Sequence, residues 1–339
     1  MRFGLFVPQG WRMDLVGIDP EHQWDAMLAV ARHADKGDTF DSLWAYDHFH
    51  TVPDPSKEAT HEAWSLMAAL GAATQRVRLG QMCTCMSYRN PAYLAKVAAT
   101  VDIISGGRLE MGIGAGWYEH EWRAYGYGFP KPGDRLGRLR EGVQVMRDMW
   151  TEGIASLDGK YYQVDGAICA PRPLQGTSRP GSERNGIPMW IAGGGERVTL
   201  RIAAQYADYT NFDGTPEVFS RKSDLLRDHC EAVGREFESI VQSSNYNVII
   251  GNTEREVQDR LDFIGSQLRR AGVSEKKAVD QVANLGRQPA VGTVEQVTEM
   301  FLDMEKRGLE YAITYFADAA HDRSGIELFE REVAPVLRA

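Results

Sequence analysis

Two glycine-rich stretches and one acid–imidazole pair are the residues of this chain best placed to do chemistry. Gly106-Gly-Arg-Leu-Glu-Met-Gly-Ile-Gly-Ala-Gly-Trp117 reads as a strand over 108–111 that runs into a turn, with a helix opening near Trp117. Gly112, Gly114 and Gly116 alternate there with Ile113 and Ala115. This leaves backbone N–H groups uncovered and able to converge on one anion, phosphate above all. The same glycines would also suit a tight corner where two backbones approach closely. Met189-Trp-Ile-Ala192 runs into Gly193-Gly194-Gly195, a second strand-to-helix turn of the same kind, with Arg197 just behind it. Helix ends carry partial positive charge, so two such turns and an arginine can share a phosphate. Asp47-His48 brings a carboxylate and an imidazole to the end of a strand, either for ligand chemistry or as a structural pair that satisfies loop backbone.

Some chemistries are excluded. A dinucleotide fingerprint belongs after the first strand of its domain. Here three strand–helix units precede the glycines, which argues against that reading. His48-x-His50 lacks the further histidines or carboxylates on later strand ends that a metal-dependent hydrolase needs, and Cys83-x-Cys85 lacks a second cysteine pair. No metal is expected. The formal net charge of -9 over 339 residues, with no basic stripe, argues against a nucleic-acid surface. The first strand begins at once without a signal-peptide core, and no apolar run approaches the roughly 18 residues of a membrane helix. Four cysteines in so long a chain make no disulfide framework. A cytoplasmic protein with reduced thiols, and no membrane or nucleic-acid partner, is the expectation.

The elements that must carry these residues alternate regularly. Phe3-Gly-Leu-Phe-Val7 is an apolar run closed by Pro8-Gln-Gly10, and Asp19-Pro-Glu21 opens a helix. Further strands are expected at 42–45, 77–82, 108–111, 189–192, 209–212, 240–250 and 311–316. Helices are expected at 62–73, from Pro91 to Ser105, and at 135–150, 196–206, 216–233, 254–271, 293–307 and 326–337. Thr293 and Gln296 form a capping box. Segments 117–134, 153–188 and 272–290 read as insertions, the second with a hairpin and a polar run at 176–185. About eight strand–helix repeats with no strand-only region favour a single closed (β/α)8 TIM barrel over an open doubly wound sheet. Ligand chemistry then belongs at the C-terminal strand ends, where the singled-out residues lie.

On Leu43-Trp-Ala-Tyr-Asp-His-Phe49, Tyr88-Arg-Asn-Pro-Ala-Tyr-Leu-Ala-Lys96, Ser105 to Trp117 and Pro188-Met-Trp-Ile-Ala-Gly-Gly194-Gly195, the chain resembles the bacterial luciferase-like flavin-utilising oxidoreductases, in particular their actinobacterial coenzyme F420 branch. The resemblance spans nearly the whole chain. It implies a commonly dimeric barrel whose cofactor ring lies across the strand ends, with its phosphate in the glycine turns. By that resemblance Asp47 contacts the cofactor and His48 lies nearest the reacting centre, both as catalytic residues. Met82, Cys83 and Thr84 form the third strand's loop, with a non-proline cis peptide at Met82-Cys83. The cofactor-binding set is completed by Gly112, Gly114, Ala115, Gly116, Trp117, Ala192, Gly193, Gly194, Gly195 and Arg197. The implied function is F420-dependent hydride transfer with a small organic substrate. The alternatives are an FMN-dependent monooxygenase of the same superfamily and, from another class, a flavin-binding protein without turnover. Tyr118, Trp122, Tyr125, Tyr127 and Phe129 suggest either an apolar pocket wall or core packing.

Overall fold

The computed structural model describes residues 1–176 and 186–338. The main parallel strands, in chain order, are β1 (Arg2–Phe6), β2 (Phe40–Ala45), β3 (Arg78–Gln81), β4 (Leu109–Gly114), β5 (Met189–Ala192), β6 (Tyr209–Asn211), β7 (Val241–Asn247) and β8 (Tyr311–Tyr315). Most are short apolar runs buried on both faces, as parallel strands beneath helices must be. β4 and β8 are buried at every position.

The chain packs as two compact units. The first comprises Met1–Glu62, Phe212–Arg221 and Gln242–Ala339. In it β1 pairs with β2 and with β8, and β8 with β7, all in parallel. A helix over Glu254–Arg270 shows why its sequence folds as it does. Val257, Leu261, Ile264 and Leu268 recur at helical spacing and pack with Met13, Val16 and Ile249 in one buried cluster. Thr293 and Gln296 make the expected capping box. The closing segment is helical from Ser324 to Arg338 but contains a π turn at Phe329–Val333. Residues 240–250, expected as one strand, divide into β7 and a short strand Ile249–Gly251 that pairs with Val291–Thr293 instead.

The second unit comprises Ala63–Asn211 and Lys222–Val241. Its ladder runs β3, β4, β5, β6, with Leu79 opposite Leu109, Met111 opposite Met189 and Trp190 opposite Tyr209. Asn90 caps the helix Pro91–Ile104 by accepting from Ala92 and Tyr93 N–H, and Pro91 takes the first helical position. Glu110 is a buried carboxylate on β4. It is satisfied by Arg78 and by Trp190 Nε1 at 2.7 Å, so the charge is paired rather than stranded. The excursion after Gly153 holds the expected hairpin, Ile154–Asp158 against Gln163–Ile168. Its end is fastened by Gln175, whose amide donates to Asp102 at 2.7 Å and to the Leu109 carbonyl at 2.8 Å. Most of the polar run expected at 176–185 lies outside the described residues.

Candidate active site

In the first unit the loops after β1 and β2 are locked together by one side chain. Gln9 donates to the Tyr46 carbonyl at 2.7 Å and accepts from the Tyr46 N–H at 2.8 Å, an amide pairing with backbone that fixes where the next residues point. Tyr46 stacks on Phe6 with centroids 4.2 Å apart. Asp47 follows, buried, and then His48, partly exposed. The His48 imidazole lies flat on Trp11, with centroids 4.2 Å apart and planes 5° from parallel.

Beside this stack Arg12 lies over Trp11, Tyr46 and Tyr315, and donates to Asn247 Oδ1 at 2.6 Å. Asp14 accepts from the Gly10 N–H at 2.6 Å and from the Tyr315 hydroxyl at 2.8 Å. Burial pushes the Asp14 carboxyl above its ordinary range, the Tyr46 phenol up to about 12, and the Tyr315 phenol well above its usual value. Both phenols therefore stay protonated at neutral pH. Among the described residues, Trp11 Nε1 and Arg12 Nε are buried donors without an acceptor.

In the second unit the peptide Met82–Cys83 is cis, as the resemblance implies. Met82 and Thr84 are buried and Cys83 is partly exposed, and Thr84 Oγ1 donates to Gln81 Oε1 at 2.8 Å. The first glycine stretch differs from expectation. β4 extends to Gly114, so Gly112 and Gly114 lie inside the strand and not in a turn. A Cβ on Gly112 would lie 1.9 Å from the Gln81 carbonyl oxygen, and one on Gly114 2.7 Å from Cys83 Sγ. At Gly112 the missing side chain admits the neighbouring strand and at Gly114 the Cys83 side chain, reasons for glycine that need no ligand. Gly116, at φ +79°, is where the chain turns, and a Cβ there would meet Cys85 Sγ at 2.5 Å. Trp117 projects outward, 60% exposed, and the next helix is Glu119–Ala124. Of the neighbouring aromatics, Trp122 is fully buried between Tyr88, Tyr127 and Phe129, whereas Tyr125 is exposed.

The second glycine stretch remains open. Gly193 turns the chain at φ +112° just after Ala192, and its N–H donates to the Asn211 carbonyl at 2.8 Å. No described residue accepts from the N–H of Gly194 or Gly195. The helix then begins at Thr199, three residues later than expected, so Arg197 lies in the connecting turn and is exposed. Two groups from outside the motif complete this place. Lys222, on the helix Pro216–Ala232, folds over the turn so closely that a Cβ on Gly194 would lie 1.9 Å from Nζ. Thr199 Oγ1 would lie 2.6 Å from a Cβ on Gly195. His229, farther along the same helix as Lys222, binds the Glu196 carbonyl at 2.7 Å and pins the turn.

Bare N–H groups, an ammonium and a hydroxyl form a donor set suited to phosphate. Sequence reading missed Lys222 because, beside Arg221 on a polar helix, it looks like a solvated charge. It missed Trp11 because a lone aromatic in a loop carries no periodicity.

Residues 1–311 match a family described as luciferase-like monooxygenase. An F420-dependent glucose-6-phosphate dehydrogenase of Gordonia bronchialis is 26% identical over 97% of each chain. A pyrimidine monooxygenase RutA of Allorhizobium ampelinum is 30% identical over 63% of this chain and 56% of its own. Among solved structures, an F420-dependent secondary alcohol dehydrogenase in complex with an F420-acetone adduct superposes with a TM-score of 0.77, at 20% identity, over 100% of this chain and 99% of that one. The shared fold is the α/β (β/α)8 TIM barrel expected from the alternation of strands and helices.

Proposed function

The chain belongs to the luciferase-like monooxygenase family and is an enzyme of the oxidoreductase class; from that premise we propose that it is a coenzyme F420-dependent oxidoreductase acting on a small organic substrate. The observation that carries the reading is the Gly193–Gly195 turn, where two unbonded N–H groups, Lys222 and Thr199 offer a phosphate its donors. The donor set fits a phosphate-bearing cofactor. The preference for F420 over FMN follows the motifs of the F420 branch and the F420-dependent glucose-6-phosphate dehydrogenases, two of which match 97% of this chain at 26% and 27% identity; a pyrimidine monooxygenase RutA matches as fully, at 25% over 100% of this chain, and gives the second reading.

When bound, a deazaflavin supplies or accepts a hydride and does not activate oxygen. The chain's own residues do the rest. Lys222, Thr199, Gly194 and Gly195 hold the phosphate, with Arg197 adding charge at its edge. By the family resemblance Asp47 would contact the cofactor, and Met82, Cys83 and Thr84 would back it. Gly112, Gly114, Ala115, Gly116 and Trp117 shape the strand end beside them. His48, held in plane by Trp11, gives or takes the proton at the substrate oxygen as carbonyl and alcohol interconvert. The finer reading includes a homodimer, on the family resemblance, and a cytoplasmic location, on the sequence reading.

The test is a side-by-side titration with F420 and with FMN, followed by single-turnover reduction of the tighter ligand. Tighter F420 binding is expected. Equal or tighter FMN binding, with oxygen-dependent turnover, would turn the assignment to the monooxygenase.

A further inference from the structure

In the first unit the loop after β1 holds the loop after β2 at three places along its backbone. Gln9 pairs with the backbone of Tyr46, the Trp11 carbonyl accepts from the Val52 N–H at 2.9 Å, and the Gln9 carbonyl accepts from the His61 N–H at 3.1 Å. His48 lies between the first two anchors, so its backbone is fixed on both sides. Its side chain still has two torsions to settle. Trp11 settles them, because an imidazole lying 4.2 Å from an indole and 5° from parallel cannot turn about its Cβ–Cγ bond without driving an edge into that face. The indole is itself held. It is buried, tilted against Tyr46 at 4.3 Å, and it carries the Arg12 guanidinium at 5.2 Å. Arg12 is fixed in turn by its bond to Asn247. His48 nonetheless stays partly exposed. The stack closes one face of the ring and leaves its plane, where both nitrogens carry a proton or a lone pair, as the direction in which it can act.

We propose that Trp11 is a positioning residue, which sets the plane of the His48 imidazole so that one ring nitrogen points at the reacting oxygen of the substrate. The inference rests on the proton-transfer role given to His48 above, and it assigns to Trp11 an effect exerted through His48. Proton transfer needs donor and acceptor within about 2.6–3.2 Å of one another. A ring free to rotate would sweep its nitrogens through about 1 Å or more, and a misplacement of that size can cost roughly 10²-fold in rate. Core packing asks only for bulk at position 11, which leucine can supply. Positioning asks for a flat face, which phenylalanine keeps and leucine lacks.

The experiment treats the full chain with bromoacetamide and reads which ring nitrogen of His48 is alkylated, by nuclear magnetic resonance on labelled histidine, with His48→Gln identifying the signals. Before alkylation the His48 ring protons of the parent are expected upfield of those of the other histidines, shielded by the indole face. Alkylation is expected to favour one nitrogen about tenfold more than in the urea-unfolded chain, and bound deazaflavin to slow it. Trp11→Leu is expected to move the ring protons back and to spread alkylation over both nitrogens, with little change in cofactor affinity. Trp11→Phe should keep most of the selectivity, and it decides the matter if the leucine variant does not fold. Parent ring protons at ordinary positions, an unreactive His48, or a selectivity that Trp11→Leu leaves intact or Trp11→Phe abolishes overturns the proposal and leaves the proton-transfer role of His48 standing. A deazaflavin that binds without slowing the alkylation removes that role from His48, and this proposal with it, whatever the selectivity.

Discussion

Replacing Gly194 by alanine separates a phosphate cradle from a merely tight turn. A Cβ at this position would lie 1.9 Å from Lys222 Nζ, 2.8 Å from its Cε and 3.1 Å from its Cδ, so the ammonium must leave. Because the clashing atoms are the far end of a flexible side chain, and Gly194 does not occupy the left-handed region, the fold itself should hardly notice. What is lost is one charged donor to the anion. A hydrogen bond to a charged group is worth roughly 1.5–3 kcal/mol, and partial exposure of Lys222 lowers that to about 1–2 kcal/mol. Affinity should then fall roughly 5- to 30-fold. Fluorescence titration with the deazaflavin measures this, with thermal melting as the folding control. Lys222→Met should reproduce the loss with no steric change at the turn. If both variants bind the cofactor with the parent's affinity while remaining folded, the turn is not the phosphate site and the reasoning fails.

His48→Ala should lower the single-turnover rate at saturating cofactor by about 10²–10⁴-fold with little change in cofactor affinity, whereas Asp47→Ala should mainly weaken affinity; a parent-like rate for His48→Ala across the pH range would remove the catalytic assignment. Gly112→Ala should destabilise by about 1–3 kcal/mol or more, because the new Cβ meets a carbonyl of the neighbouring strand that cannot step aside; an unchanged urea midpoint would contradict the close approach. Asp14 gives a pH test. Burial raises its carboxyl from 3.8, so the stability associated with its neutral form is complete below that value and is lost as pH rises through the folded-state value. Asp14→Asn removes this titration, so its melting temperature should gain on the parent's as pH rises above the ordinary carboxylate value of 3.8. Melting curves that shift in parallel across that range would refute the assignment of the carboxyl's direction.

Much of the barrel is legible in the sequence because parallel strands buried on both faces must be apolar, and their helices carry their own start signals. Pro91 at a first helical position, and Thr293 with Gln296, mark helix starts that the structure reproduces. The glycines were harder. Nothing in Gly-Ile-Gly-Ala-Gly tells a backbone bared for a ligand from one bared for the next strand, since the approach of Gln81 to Gly112 is a tertiary fact. Gly193-Gly194-Gly195 looks much the same in sequence, yet two of its N–H groups have no acceptor among the described residues. Its partner Lys222 belongs to the next helix, out of reach of any local motif. The stack of Trp11 on His48 likewise joins two loops that only folding brings together.

Because Lys222 and the glycine turn come from successive strand–helix repeats, an anion bound between them would be a structural strut as well as a ligand. A phosphate held there would link the turn after β5 to the helix after β6, and the unfolded chain, with those repeats apart, has no such site. Cofactor binding then draws on the folding equilibrium. At a concentration one hundred times its dissociation constant a ligand confined to the native state adds about 2.7 kcal/mol to stability. The lifetime of this enzyme against heat or proteases should accordingly follow the cofactor supply around it.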